Sequence, residues 1–177
     1  MIKTTRINTP LGEMIAAATE EGICLLEFSD DRIINDELTE LKELLRVKKT
    51  KEGRGKHLRH LKKQLKEYFS GKRKVFDLPL VTPGTDFQKA VWNELLKIPY
   101  GETVSYHNQA EAINNPRAVR AVGTANGSNR IVIIIPCHRV IGSDGTLVGY
   151  RGGLKRKKWL IDHERKHSGK PVDISLF

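Results

Sequence analysis

The chain has 177 residues, of which 38% are hydrophobic and 29% are charged, a balance that excludes a wholly disordered or fibrous protein. Lys and Arg number 31 against 21 Asp and Glu, so the formal net charge is +10. This charge favours a polyanionic partner, with solubility alone as the plainer alternative. No apolar run, the one at residues 131–135 included, exceeds five residues, far fewer than the roughly 20 that a membrane helix needs.

The first 80 residues predict an α/β domain that starts with a hairpin or meander. Turns at Gly and Pro separate three predicted strands, at 4–9, 13–19 and 23–28. The spacing of apolar residues predicts helices at 36–45 and 57–69. Residues 42–74 hold fourteen Lys or Arg and three Glu, so the second helix has a basic outer face. Such faces are usually only solvated, and contact with nucleic acid is the alternative.

A linker at 81–84 leads into a mainly helical domain at 85–167, followed by a tail at 168–177. Helices are predicted at 85–98, 105–112 and 117–126, then a buried strand at 131–135 and a final helix from 154 to about 166. The two short helices, joined by a tight turn around Asn114–Pro116, predict a helix-turn-helix.

Two cysteines, Cys24 and Cys137, are too few for a disulfide framework or a zinc quartet, which predicts a reducing, cytoplasmic environment. The opening Met-Ile-Lys has no signal-peptide pattern. Cys24 lies in an apolar strand and is expected to be a buried structural thiol. Cys137 lies between Pro136 and His138 at the end of the predicted strand, where a thiol can emerge from the core. From these residues alone, a nucleophile and a buried structural Cys are equally good interpretations.

Several motifs in fixed order resemble the O6-alkylguanine-DNA alkyltransferase family. They are Pro-Cys-His-Arg-Val at 136–140, Tyr-Gly-Glu-Thr-Val-Ser-Tyr at 100–106 and Asn-Pro-Arg-Ala-Val-Arg-Ala-Val-Gly at 115–123. Asn-Gly-Ser-Asn at 126–129, Gly-Tyr at 149–150 with Gly-Gly at 152–153, and Trp-Leu at 159–160 with His-Glu at 163–164 extend the match. The resemblance implies a ribonuclease-H-like N-terminal α/β domain and a helical, winged-helix-like C-terminal domain that binds DNA.

The resemblance also implies direct-reversal repair, in which a cysteine takes the alkyl group from O6 of guanine irreversibly, once per molecule. On this pattern Cys137 is the acceptor, and His138 takes the thiol proton through a water. Glu164 orients His138, and Tyr106 donates to a ring nitrogen of the leaving guanine. A soft thiolate suits attack on an alkyl carbon, and a donor at the ring edge stabilises the leaving group.

For DNA binding, the resemblance implies that the helix-turn-helix enters the minor groove and that the target base is flipped out of the duplex. Arg120 stands at the position of the family's arginine finger, on a helix of small residues. The same resemblance implies further contacts to DNA at Arg117, Ala121 and Gly123. Four residues are expected around the base pocket: Val140, Tyr150, Arg151 and Asn129, with Asn129 bracing the turn before the strand.

The chain departs from the family pattern at Arg151, where small residues are frequent, so only its backbone NH is carried over. A zinc site found in some relatives needs several Cys and His in the N-terminal domain, and here Cys24 is the only one before His57. We therefore expect no metal. We also expect no cofactor, and a monomer that acts on double-stranded DNA. Two alternatives remain: a helix-turn-helix protein that senses lesions without chemistry, and a Cys-His hydrolase, for which adjacent Cys and His are poorly placed.

Overall fold

The computed structural model describes residues 1–30 and 34–170. These residues form two compact units, which meet in the sequence between Pro83 and Gly84. Of the predicted C-terminal tail, residues 171–177 lie outside the described part.

A four-stranded sheet forms the N-terminal unit, in the order β3-β2-β1-β4. Its strands are β1 (Ile2–Thr9), β2 (Gly12–Ala18), β3 (Ile23–Phe28) and β4 (Thr50–Glu52). The first three strands are antiparallel, as the predicted meander requires, and the short β4 adds in parallel to β1. No pattern predicted β4, because three exposed polar residues carry no hydrophobic alternation. All six residues of β3 are buried.

Two helices cover this sheet, α1 (Ile34–Leu44) and α2 (Lys56–Phe69). Leu41 of α1 shares a buried apolar cluster with Ile2, Leu25 and Cys24, so Cys24 lies in the core. Burial raises the pKa of the Cys24 thiol to about 11, which keeps it protonated and unreactive at neutral pH. Helix α2 packs on β1 and β2 through one apolar side.

The C-terminal unit contains α3 (Asp86–Leu95), α4 (Tyr106–Ala112), α5 (Val119–Gly127) and α6 (Leu154–His167). Thr85 and Gln88 form a capping box that starts α3, and the Ser105 side chain caps α4. Helices α4 and α5 pack together as a helix-turn-helix. The second of them begins at Val119 rather than at Arg117, so Arg117 precedes the helix. Trp92 Nε1 donates to the carbonyl oxygen of Ala125 over 2.9 Å and fixes α3 against α5.

The strand predicted at 131–135 is wrong, because this buried apolar run forms a series of tight turns. Ile134 N donates to Val132 O over 2.9 Å and Ile135 N donates to Ile131 O over 3.0 Å, so the backbone bonds to itself. Ile133 has a φ of 73°, a left-handed value at which a β-branched side chain is strained by roughly 1–3 kcal/mol. A short apolar run cannot distinguish a buried strand from a buried turn.

These turns deliver the chain to a 3₁₀ turn at Cys137–Arg139 and then to β6 (Val140–Ile141). Strand β6 pairs in parallel with β5 (Val104–Ser105), which immediately precedes α4. The pairing therefore holds the Cys137 turn beside the first residue of α4, which is Tyr106.

Gln109 of α4 and Asn126 of α5 form a reciprocal pair of buried side-chain amides. Gln109 Nε2 donates to Asn126 Oδ1 over 2.9 Å, and Asn126 Nδ2 donates to Gln109 Oε1 over 2.8 Å. Both residues are at most 7% exposed, so each amide depends on the other for its partner.

We expect Gln109→Leu to lower the stability of the C-terminal unit by about 1–3 kcal/mol, because it leaves the Asn126 amide buried and unpaired. The double variant with Asn126→Leu should lose less than the sum of the two single losses. Urea unfolding followed by Trp fluorescence measures this unit alone, since Trp92 and Trp159 both lie in it. Additive losses would show that the two amides do not stabilise each other.

Candidate active site

Glu164 of α6 anchors a cluster of buried polar groups behind Cys137. Its Oε1 lies 2.7 Å from His138 Nε2, and the exposed fractions of the two side chains are 1% and 0%. Arg139 donates from Nε to Oε2 over 2.8 Å and from Nη2 to Oε1 over 3.0 Å. The backbone NH of Gly101 donates to Oε2 over 3.2 Å. The carboxylate thus connects α6, the 3₁₀ turn and the turn that precedes β5.

The ionisation of this cluster follows from its contacts. Burial opposes the charge of Glu164, but His138 and Arg139 outweigh it and hold the pKa of the carboxyl below its usual range. Burial lowers the pKa of His138 below its usual value, although Glu164 opposes that shift. His138 is therefore neutral at neutral pH, and the Arg139 guanidinium supplies the cation that the carboxylate needs.

The hydrogen bond from His138 Nε2 to Glu164 selects the tautomer of the ring. When Nε2 carries the proton, Nδ1 holds a lone pair and can accept a second proton. His138 Nδ1 is buried, and no residue in the described ranges 1–30 and 34–170 bonds to it. The adjacent Cys137 is also enclosed, with an exposed fraction of 8%. The site therefore combines a thiol with a neutral imidazole that can act as a base.

Asn129 braces the chain around Cys137. Its Oδ1 accepts from Ile131 N over 2.9 Å, and its Nδ2 donates to Ile135 O over 2.8 Å. The same Nδ2 lies 3.3 Å from the Sγ of Cys137, where it can donate to a thiolate. Asn129 is 1% exposed, so the side chain both satisfies the buried turns and positions the sulfur.

Lys157 is a site residue that the sequence analysis missed. Its side chain is fully buried, and Nζ donates to Val148 O and Gly149 O over 3.0 Å each. Burial lowers the pKa of Lys157 to about 8, while the charge of Cys137 opposes that shift. Lys157 lies three, four and seven residues before the buried Leu160, Ile161 and Glu164, and this helical spacing was the available signal. The run of basic residues at 155–158 concealed it.

Tyr106 lies beside this lysine and lines the same pocket as Cys137. Its hydroxyl donates to Val148 O over 2.7 Å, and Lys157 Nζ lies 3.5 Å from the same hydroxyl. Burial first, and then the charge of Cys137, raise the pKa of Tyr106 above its ordinary value. The phenol therefore keeps its proton and remains a hydrogen-bond donor.

A pocket of about 310 Å³ opens in front of the thiol, at the small end of the range for small-molecule sites. Of the predicted pocket residues, Tyr150, Arg151 and Asn129 line it together with Cys137 and Tyr106. Val140 is not among the lining residues; its side chain is fully buried, and its backbone pairs with Val104. The other lining residues are Gly123, Asn126, Gly127, Val132 and Gly149.

The predicted DNA-contact residues lie in α5 or, for Arg117, just before it. Arg117, Arg120 and Ala121 are exposed. Gly123 is partly buried and lines the pocket, so α5 presents one side to solvent and its glycine to the site.

In residues 1–30 and 34–170, no group of three or more His, Cys, Asp or Glu side chains is arranged to hold a metal ion. Within the same residues, no helix has the length and hydropathy needed to cross a membrane.

Two family models match almost the whole chain. Residues 2–82 match the ribonuclease-like domain of 6-O-methylguanine DNA methyltransferase, and residues 86–166 match its DNA binding domain. A methylated-DNA–protein-cysteine methyltransferase of Methanosarcina barkeri is 45% identical over 91% of this chain and 96% of its own length. The constitutive enzyme of that name from Bacillus subtilis is 44% identical over 91% of this chain and 94% of its own.

Solved structures agree with these matches. The crystal structure of Mycobacterium tuberculosis OGT in complex with DNA has a TM-score of 0.80 and 38% identity, and covers 99% of this chain and 98% of its own. The extent and identity of these matches, together with the buried Cys-His-Glu geometry, lead to one conclusion: the chain belongs to the 6-O-methylguanine DNA methyltransferase family.

Proposed function

We propose that the chain repairs alkylated DNA by moving the alkyl group from O6 of guanine to the Sγ of Cys137, once per molecule. One observation carries the proposal: Cys137 lines a pocket, with the neutral His138 beside it in sequence and held by the buried Glu164. The printed names of the relatives, methylated-DNA–protein-cysteine methyltransferases, support the reaction, and the DNA-bound neighbour supports DNA as the partner.

The proton of the Cys137 thiol leaves through a bridging water to His138 Nδ1, while Nε2 keeps its proton and its bond to Glu164. The sulfur then attacks the alkyl carbon, so an S–C bond forms as the C–O6 bond breaks. The bonding pair passes to the guanine, which becomes an oxyanion delocalised over its ring. A thioether remains on Cys137, and nothing in this chemistry releases it.

Three donors favour the charges of this step. The Asn129 amide and the buried Lys157 ammonium stabilise the thiolate that attacks. Tyr106 stabilises the guanine that leaves. Its hydroxyl donates to Val148 O without DNA, and it turns to a ring nitrogen of guanine when the base occupies the pocket. Asn129 and Lys157 are buried, so their interactions with charge are stronger than they would be in water.

The target base reaches Cys137 by leaving the duplex, because O6 of a stacked guanine is not accessible to a buried thiol. We place α5 in the minor groove, with the exposed Arg120 in the gap left by the flipped nucleotide. Arg117 and Ala121 approach the backbone beside it. Readout in this groove is degenerate, which suits a protein that searches for a lesion in any sequence.

A single copy contains every residue that the mechanism uses, so we propose that a monomer acts. Cys24 and Cys137 are both free thiols, and an acceptor thiol needs a reducing compartment, for which we propose the cytoplasm.

Cys137→Ser should abolish alkyl transfer and leave binding to undamaged duplex within about twofold, because a hydroxyl is a far weaker nucleophile at neutral pH. The matched control is Cys24→Ser, which removes the other thiol from the core of the N-terminal unit and should retain transfer. Single-turnover transfer from a labelled oligonucleotide measures both variants. Transfer that persists in Cys137→Ser, or is lost in Cys24→Ser, would contradict the assignment.

Lys157→Met should slow transfer at pH 7 about tenfold, equivalent to roughly 1.4 kcal/mol of lost charge stabilisation in the transition state. Burial lowers the pKa of Lys157 to about 8, so the ammonium is present below that pH and is lost above it. The wild-type rate should therefore decline above about pH 8.

Lys157→Arg keeps the cation at every accessible pH, so this variant should lack the decline. The measurement is the pH profile of the reaction with free O6-benzylguanine, which needs no DNA binding. Identical profiles for the wild type, the Met variant and the Arg variant would exclude an electrostatic role for Lys157.

Arg120→Ala should slow repair of duplex DNA roughly 10- to 100-fold and change the reaction with free O6-benzylguanine little, because only a stacked base needs extrusion. Tyr106→Phe should slow both reactions, since the leaving-group donor is lost with either substrate. Single-turnover rates on the two substrates make the comparison. Equal losses for Arg120→Ala on duplex and free base would assign Arg120 to the fold or the pocket instead.

A further inference from the structure

The segment with the helix-turn-helix carries little net positive charge, whereas a segment of the N-terminal unit carries much. Residues 42–74 hold fourteen Lys or Arg and three Glu, a net +11, against +10 for the whole chain. Residues 86–130, which include the helix-turn-helix, hold five Lys or Arg and four acidic residues, a net +1. Affinity for DNA grows with the number of phosphates that cations neutralise. The cations of the N-terminal unit, which the proposed function does not use, could therefore add to DNA binding.

Much of this charge lies on one side of α2. The buried side consists of Leu58, Leu61, Gln64, Leu65 and Tyr68. The exposed side carries five cations: Lys56, Arg59, Lys62, Lys63 and Lys66. At about 100° per residue, these five fall within a sector of roughly 120°. We call this sector the α2 basic face.

The α2 basic face is almost unneutralised. Lys63 lies 4.0 Å from Glu67, whose other carboxylate oxygen accepts from Arg73 over 2.7 Å. For Lys56, Arg59, Lys62 and Lys66, the structure of residues 1–30 and 34–170 contains no carboxylate within ion-pair distance. The charges therefore point into solvent, available to an external anion.

The helix is weakened by this arrangement. Arg59 and Lys63, and Lys62 and Lys66, are like-charge pairs four residues apart, which disfavour the helix. The first turn contains no acidic residue, Lys56 lies at the positive end of the helix dipole, and Gly55 supplies no side-chain cap. When several local rules are broken together on a solvent face, a function of that face is the usual reason.

We infer that the α2 basic face is a second DNA-binding surface, which contacts the phosphate backbone independently of the helix-turn-helix. Lys56 and Lys66 are ten residues apart, so the face extends about 15 Å, along which duplex DNA presents roughly nine phosphate charges. Among polyanions, DNA is favoured over an acidic protein because the family to which the chain belongs is a family of DNA methyltransferases. This surface goes beyond the proposed function, which needs only the C-terminal unit.

Contacts of this kind read no sequence, because lysine and arginine neutralise phosphates that every sequence presents. The α2 basic face therefore increases binding to undamaged and damaged duplex equally. Its contribution falls steeply with salt, since each neutralised phosphate releases a counterion.

The test compares two triple variants that each remove three positive charges from the N-terminal unit. One is Arg59→Gln, Lys63→Gln, Lys66→Gln on the α2 basic face. The matched control is Lys48→Gln, Lys49→Gln, Lys51→Gln, which neutralises exposed lysines in the same basic segment but outside α2. Fluorescence anisotropy with an undamaged duplex of about 30 base pairs measures affinity between 50 and 200 mM KCl.

The slope of log K against log salt should become shallower by about 2.7 in the α2 variant, since each lost phosphate contact changes it by about 0.9. The ratio of the wild-type DNA affinity to that of this variant should accordingly fall about 40-fold between 50 and 200 mM salt. The control variant should change the slope by less than about 1. A variant with Lys62→Arg, Lys63→Arg and Lys66→Arg keeps the charge and should keep the wild-type slope.

Two controls separate this inference from damage to the fold and from the proposed function. The reaction with free O6-benzylguanine should be unchanged in all three variants, because Cys137 lies in the other unit. Thermal unfolding of the α2 variant should occur at the same or a higher temperature, because repulsion within the helix is relieved. If the wild type does not react with the free base, the proposed function is wrong. The salt slopes would still decide whether the α2 basic face binds DNA.

An unchanged slope in the α2 variant, or equal losses in the α2 and control variants, would overturn the inference. Poly-glutamate is the competing probe. If the α2 variant loses affinity for poly-glutamate but retains the wild-type salt slope on DNA, the face binds an acidic protein and the DNA assignment is wrong.

Discussion

The buried carboxylate of Glu164 is the interaction on which the active site depends. It accepts from His138, from Arg139 through two nitrogens and from the backbone NH of Gly101. Removing it would leave the Arg139 guanidinium buried without its counterion, a change that typically costs about 3–5 kcal/mol. Glu164 is therefore first a structural residue, and its effect on the reaction acts through the ring it holds. Gly101 must be glycine here, because its φ is +80° and a Cβ would lie 2.6 Å from Ser168 Cβ.

Cys137 and the polar groups around it are buried, so that the charges in this cluster act strongly on one another. Arg139 forms a buried ion pair with Glu164, and burial holds the pKa of His138 below its usual value, which leaves the imidazole able to take a proton. The Asn129 amide lies 3.3 Å from the sulfur, and the Lys157 ammonium interacts electrostatically with it. The strained backbone at Ile133 also serves the site. The tight turns that require its positive φ lead the chain from Asn129 to Cys137.

The amphipathic helices could be predicted from the sequence, with their ends placed to within about three residues. The apolar spacing of 57–69 matches α2, and Thr85 and Ser105 cap helices as their residue types predict. The turns at 131–135 could not be predicted, because the apolar run itself does not reveal that the Asn129 side chain bonds to the backbone of Ile131 and Ile135. Strand β4 could not be predicted either. Its three polar residues show no strand pattern, and only the fold brings them beside β1.

The site shows the same division between local pattern and tertiary contact. Cys137, His138 and Glu164 were identified through motifs whose family meaning is known, and the structure brings His138 and Glu164 together. Arg139 and Lys157 were not recognised, because a basic residue is expected to point to solvent unless the structure supplies a partner. Burial of Lys157 against two carbonyl groups is a tertiary event, and only its helical register hinted at it.

The most direct test of the account is to count alkyl groups transferred per protein molecule. The chain is incubated with an excess of duplex carrying labelled O6-methylguanine until the signal is constant, and the labelled peptide is then identified by mass spectrometry. The account predicts a plateau at one label per molecule, carried as a thioether on Cys137. Continued turnover beyond one equivalent, a label on another residue, or no label on a protein that binds the lesion would contradict it.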